Sequence, residues 1–125
     1  MTRGLLWIVG LTLLAACGGS SSSTTVVDPA SVAVLAEALV PMKDACHVTG
    51  RARNLTTDLT VDVTLRWQAF DAADKSLGTT AVLIGRLLPE EERAFEATGF
   101  HSSSGLVRCS AITRFVLTET TLVRR

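Results

Sequence analysis

The stretch from Leu59 to Ala69 limits what this chain can fold into more than any other. Leu59, Val61, Val63, Leu65, Trp67 and Ala69 alternate with Thr60, Asp62, Thr64, Arg66 and Gln68. Successive side chains of a strand point to opposite faces, so one face of this segment is apolar and must be covered. A helix would scatter the same apolar residues around its circumference. A sheet with one apolar face needs a second layer, and the flanking sequence offers further strands to build it.

Upstream, Cys46, Val48, Gly50 and Ala52 alternate with His47, Thr49, Arg51 and Arg53, the pattern of a half-buried strand. Asn54 to Asp58 is turn-rich, and Asp71 to Ser76 turns the chain again. A strand is predicted from about Leu77 to Leu87, apolar on both faces near Ala81 to Ile84. Pro89-Glu90-Glu91-Glu92 is a polar turn, and Arg93 to Phe100 returns with Phe95 and Ala97 on one face. His101 to Gly105 is a predicted loop. The last strand runs from about Leu106 to Leu117, extendable to Val123, with Val107, Cys109, Ala111, Phe115 and Leu117 on one face. Short strands with regular turns predict an all-β sandwich. Only Asp28 to Val40 is ambiguous. Asp28-Pro29 suits a helix start, and Val32, Leu35, Ala36, Leu39 and Val40 fit a helical stripe closed by Pro41. An edge strand over Ser31 to Leu39 fits the same residues.

The N-terminus is organised differently. Met1-Thr2-Arg3 is a short basic start, and Gly4 to Leu14 is uncharged and apolar. That run is too short for a bilayer core of ~30 Å, which needs ~20 residues, but it suits the core of a signal peptide. Leu14-Ala15-Ala16-Cys17 follows and resembles the lipobox of bacterial lipoproteins. The resemblance implies cleavage before Cys17, a thioether-linked diacylglycerol on Cys17 and an acylated amine. Two chains anchor stably and one only marginally. An ordinary secretory leader or a buried apolar helix is the competing reading. Gly18 in place of an aspartate favours the outer membrane, facing the periplasm, if the host is Gram-negative. Gly18 to Thr25 is low-complexity and polar and reads as a flexible tether. Up to Pro29 it reaches about 40 Å fully extended. The expected organisation is residues 1–16 as signal peptide, 17–29 as lipidated tether and 30–125 as one domain.

Within that domain, Val48-Thr49-Gly50-Arg51-Ala52-Arg53-Asn54 resembles the V-x-G-x-V-x-N opening of FxLYD-type domains. Trp67-Gln68-Ala69-Phe70-Asp71 resembles their eponymous aromatic stretch. Leu77-Gly78-Thr79 and Leu88-Pro89-Glu90-Glu91-Glu92-Arg93-Ala94-Phe95 resemble two later elements of the same family. The likeness covers about residues 46 to 117 and departs at Ala52, Ala69 and Glu91. It implies a single immunoglobulin-like β-sandwich on a cell-envelope protein, does not by itself imply a catalytic site, and tilts Ser31 to Leu39 towards a strand.

The chemistry-bearing residues are few. With Cys17 committed to lipid, Cys46 and Cys109 remain as an even pair in an exported chain, each on the apolar face of its strand. A disulfide is expected, contributing about 4 kcal/mol by the chain-entropy estimate. Two free buried thiols are the alternative. A metal site from Cys46, His47 and Cys109 is disfavoured, because adjacent strand residues face opposite ways. His47 and His101 lack a carboxylate or nucleophile at a telling spacing, and Ser102-Ser103-Ser104 has no nucleophile-elbow context. Asp71 and Asp74 lack the oxygen density of a calcium loop. Trp67 belongs to the core face. No cofactor and no metal are expected, and an enzyme is disfavoured. The charges balance at 12 basic and 12 acidic residues, which gives no footprint for nucleic acid. The expected function is a membrane-anchored envelope lipoprotein whose non-catalytic sandwich binds an envelope protein or wall component. The alternatives are a periplasmic small-ligand or metal-binding carrier, or an inhibitor of an envelope enzyme.

Overall fold

A computed structural model describes residues 27–43 and 45–125. The expected leader, the lipobox, Cys17 and most of the expected tether lie outside the described residues. A short 3-10 turn, Pro29–Ser31, precedes eight strands. These are β1 (Val32–Met42), β2 (Ala45–Asn54), β3 (Val61–Phe70), β4 (Ser76–Leu87), β5 (Glu92–Ala97), β6 (His101–Ser102), β7 (Gly105–Leu106) and β8 (Arg114–Arg124). A second 3-10 turn, Cys109–Ala111, lies between β7 and β8. All pairings are antiparallel. They form a three-stranded sheet in the order β1-β2-β5 and a five-stranded sheet in the order β7-β6-β4-β3-β8. The fold is an all-β, immunoglobulin-like sandwich of unequal sheets.

The core forms where the two alternating stretches face each other. Val61, Val63, Leu65, Trp67 and Ala69 of β3 are fully buried, as are Cys46, Val48 and Ala52 of β2. Covering a side chain of this size stabilises by about 1.5–3 kcal/mol. The Trp67 and Phe95 rings meet across the sandwich with centroids 5.3 Å apart. Phe95 and Ala97 share the inner face of β5, as their spacing predicts.

Several boundaries differ from expectation, each for a local reason. The ambiguous segment is a strand. Asp28 only caps the 3-10 turn, accepting the Ala30 N–H at 2.9 Å. Val32 and Val34 pack inward before one extra residue in β1 and Leu39 packs inward after it, whereas Leu35 of the helical stripe is exposed. Leu35 pairs with Arg51 and Ala38 with Thr49, and Ala36 sits at φ 57°. Such a bulge shifts the inward parity by one and imitates a longer period. Pro41 does not close the strand. It pairs with Cys46 inside β1, which is an edge strand and tolerates a missing N–H.

The strand expected over Arg93 to Phe100 is shorter, ending at Ala97 before Gly99 at φ 86°. His101 to Leu106 is a small hairpin rather than a loop, and its His101 pairs with Thr79. Gly78 makes room for it, since a Cβ there would stand 2.5 Å from the His101 carbonyl oxygen. The strand expected from Leu106 to Leu117 is interrupted by the 3-10 turn at Cys109, where the chain is drawn to Cys46. It resumes as β8 and runs on to Arg124.

Register fixes two poles. Val32 of β1 lies opposite Asn54 of β2, and Val27 donates its N–H to the Leu122 carbonyl at 3.1 Å. The chain therefore enters the sandwich beside the end of β8. Cys46, the β3–β4 turn, the small hairpin and the start of β8 lie at the opposite pole.

Candidate functional site

The entry pole is built around Asn54. Its carboxamide is fully buried, and its Nδ2 donates to the carbonyls of Leu59 (2.7 Å), Leu88 (3.1 Å) and Leu87 (3.2 Å). Its Oδ1 accepts from the Thr56 N–H at 3.0 Å and the Thr56 hydroxyl at 2.7 Å. One side chain thus ties the end of β2 to the turn before β3 and to the end of β4. A buried amide with every group satisfied rigidifies such a junction. The following turn is closed by Glu91, which accepts the Leu88 N–H and an Arg93 guanidinium N–H, both at 2.8 Å. The Leu88 N–H, then Arg93, hold the Glu91 carboxyl below its ordinary range.

The opposite pole is closed covalently. Cys46 and Cys109 form a disulfide with Cα atoms 4.8 Å apart, spanning 63 positions of sequence. Cys46 is fully buried and belongs to the three-stranded sheet, whereas Cys109 is half-buried and leads into β8 of the other sheet. The bond therefore links the two layers. Beside it lies a cleft of about 230 Å³, lined by Pro41, Met42, Lys43, Ala45, Arg108 and Cys109 among others. A larger, shallow depression of about 570 Å³ lies over the three-stranded sheet, where the β1 bulge opens beside Gly50 and Phe95. Arg51 and Glu96 rim it. Ligand pockets of that volume enclose most of their ligand. This depression is open, and both rim charges have partners. Glu96 meets His47 at 2.6 Å and Arg51 pairs with Glu92.

The other candidate groups, His101 apart, have partners within the fold. His47 lies against Glu96, and His101 stands exposed on the small hairpin. The hydroxyls of Ser102 and Ser104 meet within that hairpin at 3.1 Å. Asp71 closes its own turn, accepting the N–H groups of Ala73 (2.8 Å) and Lys75 (2.9 Å). Asp74 pairs with Arg114 at 3.0 Å. Among the described residues, no three His, Cys, Asp or Glu side chains gather to hold a metal ion. No helix among the described residues is long and apolar enough to cross a membrane. Trp67 is fully buried, as its parity predicts, and its indole N–H donates to Glu37 Oε1 at 2.8 Å.

Sequence reasoning did not single out Glu37 or the Asn54 network. Glu37 reaches Trp67 only because the bulge displaces it, and nothing in the local pattern signals that. Asn54 carried a signal, an Asn closing an alternating strand two residues before Thr56, but its carbonyl partners are distant in sequence.

Fold and site together define a disulfide-closed two-sheet β-sandwich with a covalent pole and a hydrogen-bonded pole. No protein-family model, no curated protein and no solved structure matches the chain.

Proposed function

We propose that this protein is a lipid-anchored lipoprotein of the bacterial cell envelope, with an FxLYD-like sandwich that binds an envelope protein or wall component without catalysis. The observation that carries this is Leu14-Ala15-Ala16-Cys17, placed after a basic start and an uncharged apolar run. Cleavage before Cys17 and acylation of that residue attach the chain to a membrane, and the polar residues that follow act as its tether. In a Gram-negative host the anchor sits in the outer membrane and the domain faces the periplasm.

The direction of the sandwich supports this reading. Val27 enters beside Leu122, so a tether arriving there attaches at the entry pole and leaves the disulfide pole unobstructed. Its loops are then the surface available to a partner. The disulfide suits an oxidising compartment. A non-catalytic role is supported by the commitments of Asp71 and Ser102 within their own turns, of His47 to Glu96 on β5 and of Asp74 to Arg114 on β8. The alternative of a small-ligand carrier has the depression over Gly50 and Phe95 in its favour. Its openness and paired rim charges make it the weaker reading.

Cys17→Ser tests the anchor in cells of the natural host. The variant is expected in the soluble fraction, and a variant that stays membrane-bound would refute the lipobox reading. Cross-linking of the full chain in intact cells tests the partner. Capture of one envelope protein or wall fragment is expected, and recovery of a small ligand alone would favour the carrier.

A further inference from the structure

We infer that the outer edge of β8 is a self-association surface, on which a second copy of this chain pairs antiparallel about a two-fold axis through Val116. This inference does not rest on the anchor reading. Its starting point is the inequality of the sheet edges. β1 is guarded by its bulge and by Pro41. β5 is short, and its Arg93 reaches over to donate to the Ile84 carbonyl of β4 at 3.1 Å. β7 has two residues. β8 is 11 residues long, contains no proline or lysine, and among the described residues pairs with β3 alone. Among the described residues, only Val27 bonds to its outer edge, at Leu122. A long unguarded edge is a template for another strand.

The side chains say which strand. Trp67 pairs with Leu117 and Arg66 with Glu119, so Thr118 is an extra residue, and its hydroxyl turns inward to the Arg66 carbonyl at 3.2 Å. This bulge puts Arg114, Val116 and Glu119 on one outer face, opposite Phe70, Gln68 and Arg66. All three are exposed. Counting across the bulge, Val116 lies midway between Arg114 and Glu119. An antiparallel copy centred there sets Val116 against its own counterpart. Each Arg114 then faces the other copy's Glu119, twice by symmetry. On the inner face, the half-buried Phe115 meets the second copy's Leu117 and extends the core across the seam. A bulge commonly discourages edge pairing. This one instead brings the two charges into self-complementary register. Within the chain Arg114 pairs with Asp74 and stacks over the Phe70 ring, Cζ 4.0 Å from its centroid, and Glu119 pairs with Arg66, yet both groups stay about half exposed and can take a further partner.

Charge-reversed variants of the full chain, purified in detergent and followed by sedimentation equilibrium, test this arrangement. Wild type is expected to reach a monomer–dimer equilibrium. Arg114→Glu alone makes both facing positions acidic, and Glu119→Arg alone makes both basic. Each variant is expected to dimerise about tenfold more weakly or worse, because two attractions become two repulsions. An equimolar mixture is expected to restore wild-type association, since each mixed pair is again complementary at both contacts. The mixture also controls for folding and for association through shared micelles, which would not depend on these signs. The proposal is overturned if wild type stays monomeric at the highest concentration reached, if either single variant dimerises as well as wild type, or if the mixture does not recover. A monomer whose β8 amides gain protection only when a different envelope chain is added would assign the edge to that chain and overturn the proposal equally.

Discussion

The two poles of the sandwich solve the same problem by different chemistry. At each, strands from both sheets must be held where the chain passes between them. The pole remote from Val27 uses one covalent bond, Cys46–Cys109, which closes a loop of 63 positions and acts largely by restricting the unfolded chain. The entry pole uses Asn54, whose five hydrogen bonds act in the folded state. A covalent closure survives local opening, whereas a hydrogen-bonded one requires every partner at once. The disulfide pole can therefore carry exposed loops and a cleft without coming apart, and the entry pole has to stay dry and satisfied.

The comparison breaks most visibly if the covalent pole is opened. The double variant Cys46→Ala/Cys109→Ala is expected to lose about 4 kcal/mol in urea unfolding of the oxidised protein. Little or no loss would mean that the packing around Trp67 and Phe95 already holds the sheets together. Asn54→Ala is expected to cost about 3 kcal/mol, because it leaves buried carbonyls and the Thr56 donors unpartnered. The sharper test combines them. The two sites lie at opposite ends of β2, ~26 Å apart at strand rise, so the triple variant's loss should equal the sum within about 0.5 kcal/mol. A clear excess over the sum would show that the poles are not independent.

The same contrast separates what the sequence made legible from what it did not. β3 was legible from Val61 to Ala69 because it is a central strand with one face wholly covered, and there its burial pattern follows its alternation residue by residue, although the expected first residues Leu59 and Thr60 lie before the strand. Cys46–Cys109 was legible because both cysteines stood on the apolar faces of alternating stretches and formed an even pair once Cys17 was read as the lipidation site. β1 was misjudged in phase where an extra residue enters the ladder near Ala36, and the strand expected from Leu106 was misjudged in extent, since β8 begins only at Arg114. A bulge is a property of two strands, and one strand's pattern does not contain it. Cys109 hid a further break, since its inward parity was right although its backbone is a 3-10 turn. The Asn54 network escaped notice because its carbonyl partners at Leu87 and Leu88 are set by folding. The lipobox reading of Leu14 to Cys17 rests on sequence throughout.

Gly50 probes the sheet between the poles. Its missing Cβ leaves room for the Phe95 ring, with Cζ 2.7 Å and the Leu35 carbonyl oxygen 3.0 Å from where a Cβ would stand. Gly50→Ala must push Phe95 from its place against Trp67 or widen the β1 bulge. A loss of about 1–3 kcal/mol is expected from overpacking. The near-ultraviolet signal of Trp67 should change with it. Unchanged stability would mean that the open depression absorbs the methyl group without cost.

The smallest expected effect belongs to Glu91, at the hydrogen-bonded pole. Its carboxylate is held below its ordinary value, first by the Leu88 N–H and then by Arg93. A carboxyl group with a lowered folded-state pKa contributes stability above its unfolded-state pKa and loses it as the pH falls through the folded value. Wild type should therefore exceed Glu91→Gln in stability near neutral pH by a small margin that shrinks on acidification and vanishes once the carboxyl is protonated in both states. Urea midpoints for the two proteins, measured from about pH 6 down to about pH 3, read this directly. The disulfide and the Asn54 carboxamide do not titrate in this range, so variants at those residues should show a loss that is nearly independent of pH. If the Glu91 difference instead grew on acidification, the charge on this turn would be destabilising and the closure would rest on Asn54 alone.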